Sequence, residues 1–432
     1  MANVTRLAAL SAGLLACGGS SVAAPEDGGA DIQATPDASV PDGPGVIIDG
    51  SPGDTSAQSD ATAVSDSAMG ADVPSPDVWI DAPAPPPVLV QAHRPTGIAV
   101  DAQYIFWADW GPTGGGGCPQ DCASIWRADL DGSNVTEIAQ DFATLAFPED
   151  VVLFGDSVYW DNTGSSSAGL PPIARCPKTG CIGSAEPVPS VGPFIYATGM
   201  AVGDAGFFWL GNYGSTQNSP GVNGVWRVQP ADAGPSGEIT PVPQLAFGQG
   251  SLAVDDDNVY FGGAGGALGA IAADAALLPL DAGAAFTQLA TLAQGDAGFF
   301  WNDFDPPNIV VDDTTLYYAW GNGDVVGALP KTGEPDGGLA PVYAWNVGGA
   351  MRIVADASDV YWTVRGPNTN DAGNALVYSD GSIMKCPKTG CGASGPTVLA
   401  TGLDGLSGYL AVDATYVYFT QFADGTIRRV PK

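Results

Sequence analysis

Short runs of alternating apolar and polar residues fill most of the chain, and they come in a recurring arrangement. Residues 97–109 read GIAVDAQYIFWAD. Ile98 and Val100 alternate with small residues, Asp101 opens a turn, and Tyr104 to Trp107 is an aromatic run. Alternation, a turn residue and then β-favouring aromatics predict two strands joined by a tight turn. The pattern returns six times: at residues 150–162 and 200–212, and from Leu252, Ile309, Arg352 and Tyr409. The central aromatics are Phe106, Tyr159, Phe208, Tyr260, Tyr317, Tyr361 and Tyr418, spaced by 53, 49, 52, 57, 44 and 57 residues.

Each copy continues through a loop of variable length into a third strand that ends in a polar turn. Examples are SIWRADLDGSN (residues 124–134), IARCPKTGC (173–181), VVGALPKTG (325–333) and SIMKCPKTGC (382–391). A fourth strand follows in most copies, as in VTEIA (135–139) and PTVLA (396–400). A period near fifty with four short strands predicts an all-β fold, a β-propeller of seven four-stranded blades. The last copy stops after three strands, at TIRRVPK, while PVLVQAH (87–93) stands alone before the first copy. This N-terminal segment is predicted to complete blade seven, closing the ring and removing an exposed sheet edge. GDAGFFW at 295–301 repeats 203–209 but lies too near the next aromatic centre to be a blade. It reads as an insertion between blades four and five.

Composition changes the picture mainly at the N-terminus. Met1 to Arg6 carries one basic side chain, Leu7 to Ala16 is apolar, and Leu14-Leu15-Ala16-Cys17 is followed by two glycines. This resembles the lipobox of bacterial lipoproteins, which implies cleavage before Cys17 and its acylation. The other reading is an ordinary secretory signal in which Cys17 is incidental. Residues 18–86 hold 11 Asp, one Glu, many prolines and no Lys or Arg. With so little to bury, this acidic, Pro-rich linker is expected to be disordered. As a flexible coil it would reach roughly 45 Å, and holds the folded part away from a membrane. The expected division is thus a lipoprotein signal peptide (1–17), a linker (18–86) and a propeller (87–432). The expected location is extracytoplasmic and lipid-anchored, on the outer membrane or cell surface. The net charge is −33 with only 14 basic residues, which excludes nucleic acid as a partner because phosphates need clustered Lys and Arg.

FWADW followed by IWRADLDGSNVTEI, in the first repeat, resembles the YWTD-type propellers of lipoprotein receptors and, more loosely, the bacterial NHL-like propellers. The likeness covers residues 87–432. It departs from the YWTD pattern in two ways: those propellers have six blades against seven repeats here, and the Thr-Asp of the name stands as Ala108-Asp109. The resemblance implies an extracellular binding role and names no ligand.

Six of the seven cysteines form local pairs: Cys118 with Cys122, Cys176 with Cys181, and Cys386 with Cys391. Outside the cytoplasm these read as disulfides. Thiolate metal ligation is the weaker reading, since no His lies near and a tetrahedral site needs four ligands. LPKTG at 329–333 matches a sortase sorting signal, but it lies mid-chain and aligns with CPKTG of two other repeats. The acidic stretches 129–134 and 255–257 invite calcium, yet the first lacks the ligand spacing of a complete calcium loop, and turn-forming aspartates explain both. His93 is the only histidine, read as an exposed loop residue. No nucleophile–base motif is seen, so no catalytic residue, metal ligand or cofactor is assigned. The loops after each second strand and between blades vary widely and share one face. They carry the expected ligand-binding set Trp110, Asn162, Asn212, Tyr213, Trp301, Trp320 and Arg365, because variable loops and aromatic or Arg side chains are where rigid scaffolds place recognition. The leading expectation is a monomeric binding module for a protein, glycan or small ligand. The alternative is a lactonase- or lyase-like propeller enzyme with a divalent metal in the central channel, and a third reading is a structural scaffold in the envelope.

Overall fold

A computed structural model of the chain describes residues 84–112, 123–140, 147–162, 171–188, 194–203, 206–213, 222–228, 237–241, 251–263, 266–274, 287–292, 307–321, 324–334, 338, 340–345, 348–366 and 379–432. The expected signal peptide, the linker up to residue 83, Trp301 with the 295–301 insertion, and the Cys118–Cys122 pair lie outside them.

The strands form seven antiparallel four-stranded sheets, each made of neighbours in sequence except the last. In blade one the order is Pro95–Val100, Tyr104–Asp109, Ser124–Asp129 and Thr136–Ala139. Blade seven takes Leu406–Val412, Tyr416–Gln421 and Thr426–Pro431 from the C-terminus and Val88–Gln91 from the N-terminus. Val90 pairs with Ile427 and Gln91 with Thr426. The ring is therefore closed by joining the two ends of the propeller, as the stray N-terminal strand suggested. Arg428 reinforces the seam by donating from Nη1 to the Pro86 carbonyl.

The buried apolar residues fall into seven clusters, one between each pair of adjacent blades. The aromatic doublet explains this. Successive residues of a strand point to opposite faces of its sheet. Phe106 accordingly packs against blade two, and Trp107, its neighbour, against blade seven. Tyr361 and Trp362 divide the same way, toward blade seven and blade five. Each blade thus drives one large ring into each of two interfaces, and Trp107, Trp160 and Trp362 are essentially fully buried. Burying an aromatic side chain stabilises by roughly 1.5–3 kcal/mol, so most of the core energy lies between blades.

A second set of contacts ties the blades together on the face that carries the strand-one-to-two turns. In five blades the aspartate that opens this turn accepts two backbone N–H bonds through Oδ1. For Asp101 the donors are Gln103 and Tyr104, both at 2.9 Å; Asp255, Asp312, Asp356 and Asp413 repeat the geometry. The other oxygen is met by the lysine of the Pro-Lys turn in the next blade: Lys178 on Asp101 at 3.0 Å, Lys331 on Asp255 at 2.5 Å, Lys388 on Asp312 at 2.8 Å and Lys432 on Asp356 at 2.5 Å. Where the central aromatic is tyrosine, its hydroxyl donates to the same oxygen, as Tyr317 does to Asp312 at 3.0 Å. The repeated Pro-Lys, LPKTG included, is thus an inter-blade clamp. The acidic stretches 129–134 and 255–257 are hydrogen-bonded turns of this kind: Asn134 Nδ2 donates to Asp129 at 2.7 Å, and Tyr260 and Lys331 both bond Asp255.

Among the described residues two disulfides are present, Cys176–Cys181 and Cys386–Cys391, with Cα atoms 5.7 and 4.9 Å apart. Each closes the turn from third to fourth strand, as expected. Each also joins the core shared with the preceding blade, and the Cys181 N–H donates across that interface to Ile138 at 2.7 Å. The staple positions the clamp lysine, which lies within its loop.

Candidate functional site

The seven first strands surround the ring axis, so any register position in them becomes a layer of the central channel. One layer is apolar: Ile98, Val151, Met200, Leu252, Ile309, Ile353 and Leu410 occupy the same place opposite the second ring of each aromatic doublet. The residue before each forms a layer of different chemistry: Gly97, Asp150, Gly199, Ser251, Asn308, Arg352 and Tyr409. All of them but Gly97 line a cavity of about 210 Å³, together with the apolar layer. Gly97 is required there. A Cβ at this position would lie 2.5 Å from the Glu149 carbonyl oxygen and 2.7 Å from the Asp150 Cα.

Arg352 reaches from blade six to Asp150 of blade two, with Nη1 3.8 Å from Oδ2, and its guanidinium stacks 4.3 Å over the Tyr409 ring of blade seven. The two charged side chains keep 20 % and 17 % of their surface, so they face the cavity. Behind them Asp161, buried in the second strand of blade two, accepts the backbone N–H groups of Glu149 and Asp150 on Oδ1 at 3.1 and 2.7 Å. Glu149, Asp150 and Asp161 therefore crowd one side of the channel with a single guanidinium to balance them. Burial pushes Glu149 up to about 7, with Arg352 opposing and Asp150 adding to the shift. Burial also raises Asp150 against the pull of Arg352. It raises Asp161 further, aided by the charges of Asp150 and Glu149. Among the described residues there is no group of three or more His, Cys, Asp and Glu side chains placed to hold a metal ion.

The residues expected on the loop-rich face are described in part. Trp110 bonds through Nε1 to the Pro148 carbonyl at 2.8 Å and meets Phe147 and Phe422 edge-on, with centroids 5.3 and 5.1 Å away. Arg94 lies over both Trp110 and Phe422, at 5.2 and 4.4 Å. Trp110 thus gathers loops from blades one, two and seven. Phe147 is 53 % exposed. Of the other residues expected on this face, Asn162 is buried and donates through Nδ2 to the Pro171 carbonyl at 2.8 Å. Trp320 is buried in the core between blades four and five. Arg365 is half-buried, with Nε 3.1 Å from the Met351 sulfur. Asn212 and Tyr213 end a strand of blade three, and their side chains lie outside the described set. His93 is exposed, with Nδ1 3.7 Å from an Asp109 oxygen. Sequence reading did not single out Asp150, Arg352 and Tyr409, although three of the seven repeats begin on them. The signal was the charged or aromatic residue standing where other copies have Gly or Ser.

No protein-family model matches the chain, and no curated protein matches it. Among solved structures, similarity is found to the computationally designed Ika8 protein, with a TM-score of 0.43 and 10 % identity over 80 % of this chain and 99 % of that one. A gluconolactonase from Xanthomonas campestris gives 0.42 and 15 % identity, over 63 % and 83 % of the two chains. The PQQ-bound aldose sugar dehydrogenase of Streptomyces coelicolor gives 0.41 and 15 %, over 70 % and 98 %.

Proposed function

We propose that this chain is a lipid-anchored, extracytoplasmic β-propeller that acts as a binding module of the cell envelope, presenting the loop-rich face to a protein, glycan or small ligand. One observation carries the reading. Among the described residues, Phe147 is the one exposed large aromatic, and it stands beside Trp110, Phe422 and Arg94 where three blades meet. Aromatic and Arg side chains clustered on a rigid support are the residues that most often anchor interfaces. The opposite face is occupied by lysine–aspartate clamps that hold the ring, which leaves the loop face free for recognition. Acylation of Cys17 would attach the chain, and the acidic linker would set its reach.

The purified full chain is to be tested against arrays of envelope glycans and peptides, alongside Trp110→Ala and Phe147→Ala. Binding that falls at least tenfold in both variants, with melting little changed, supports the reading. Binding indifferent to both places recognition elsewhere. Palmitate incorporation that is present in the wild type and absent in Cys17→Ser supports the anchor.

A further inference from the structure

We infer that the central cavity is a second binding site, separate from the loop face, for a small uncharged polyhydroxyl compound of about monosaccharide size. The argument starts from unmet hydrogen-bonding capacity. Arg352 presents five N–H donors, and no described residue accepts any of them: its nearest carboxylate oxygen is 3.8 Å away. Tyr409 is only 8 % exposed and lines the cavity, yet its hydroxyl bonds no described group. Asn308 brings an amide with both donors and an acceptor. The Ser251 hydroxyl accepts the Ile309 N–H at 3.1 Å and keeps its own proton for another partner. Polar groups left unpaired in a covered site are costly, so this layer is built to be completed by a guest or by water.

The balance of donors and acceptors selects the guest. Arg352, Asn308, Tyr409 and Ser251 can donate; Asp150, Asn308, Tyr409 and Ser251 can accept. Hydroxyl groups do both, and several on one small ring can meet several of these partners at once. A carboxylate guest would be drawn to Arg352 but would stand beside Asp150 and near Glu149 and Asp161. An amine would be drawn to those carboxylates but would face the guanidinium. A neutral guest leaves the Arg352–Asp150 pair intact. Beneath lies the apolar layer from Ile98 to Leu410, a surface for the C–H faces of such a molecule. The volume of about 210 Å³ is below the roughly 300–1,000 Å³ of pockets for drug-sized ligands, which limits the guest to one ring.

The test is calorimetric titration of the full chain with D-glucose, D-galactose, D-xylose and myo-inositol, and with putrescine and D-gluconate as charged probes. A neutral compound is expected to bind one-to-one with millimolar or tighter affinity that changes less than twofold between low and high salt, since no charge is screened. Arg352→Gln and Tyr409→Phe should each weaken it tenfold or more, whereas Trp110→Ala and Phe147→Ala should leave it within twofold. If Arg352→Gln fails to fold, Tyr409→Phe and Asn308→Ala supply the readout. Binding of putrescine or gluconate in preference to every neutral compound overturns the inference. So does binding that survives the cavity variants, or the absence of binding by all probes. None of these results bears on the loop face, which is read by Trp110 and Phe147.

Discussion

Aspartates on the turn face and carboxylates in the channel are the same chemistry in opposite surroundings. Asp312 sits in a turn that supplies two backbone N–H groups, the Tyr317 hydroxyl and the Lys388 ammonium. Burial alone would raise it, but the Lys388 bond and these other donors outweigh burial and hold it at about 2. Asp101, Asp255, Asp356 and Asp413 are lowered by the same kind of partners. In the channel three carboxylates share one arginine, and burial wins for all of them. The turn carboxylates hold the ring together. The channel carboxylates are carried at a cost to it, since burial disfavours their charged forms.

Breaking ring closure should have the largest effect on either region. Deleting residues 84–93 removes the fourth strand of blade seven and the buried Val90, exposing an edge. A fall in Tm on the order of 10 °C is expected by calorimetry, and a truncated chain that melts like the intact one would show that the seam does not matter. Next, Asp161→Ala strands two backbone N–H groups and should cost about 2–3 kcal/mol in denaturant melts. Asp161→Asn keeps an acceptor for these N–H groups and takes a titrating carboxyl out of the crowded set, so it should be close to neutral or stabilising. If the two variants behave alike, charge crowding in the channel is not real.

Lys388→Met should cost about 1–2 kcal/mol, more than a fully exposed pair, because both partners are mostly covered. Its signature is in the pH profile. Asp312 is ionised in the fold down to about 2, so the unfolded chain takes up the proton first as pH falls. The contribution is complete above about pH 4 and disappears as pH falls through 2; Lys388→Met should make this acid loss shallower. The channel should give an effect of opposite sign. Glu149 keeps its proton up to about 7 in the fold, whereas the unfolded chain releases it near 4.5. Stability therefore declines as pH rises from about 4.5 to 7 and levels off above. Glu149→Gln should flatten that decline, and a profile unchanged by it would remove Glu149 from the crowded set.

Much of this molecule is written locally. A period-two pattern, an aspartate before the turn and an aromatic doublet specify a hairpin wherever they occur, and seven copies about fifty residues apart leave few architectures other than a closed ring. The unpaired strand at 87–93, the two CPKTGC staples and the hairpin turns at the acidic stretches could be read in the same way, because each depends on residues near in sequence or on a count of strands. What the sequence did not disclose is set by distances around and across the ring. Lys388 reaches Asp312 from 76 residues away, a pairing legible only once adjacent blades are stacked. Asp150, Arg352 and Tyr409 come from three different blades, and only the ring geometry brings them to one point. Trp320 and Asn162 look like loop-face residues when a strand end is read alone, yet both are buried. The direction of a side chain at a strand terminus is decided by the neighbouring blade that packs against it, and that neighbour is a property of the tertiary structure.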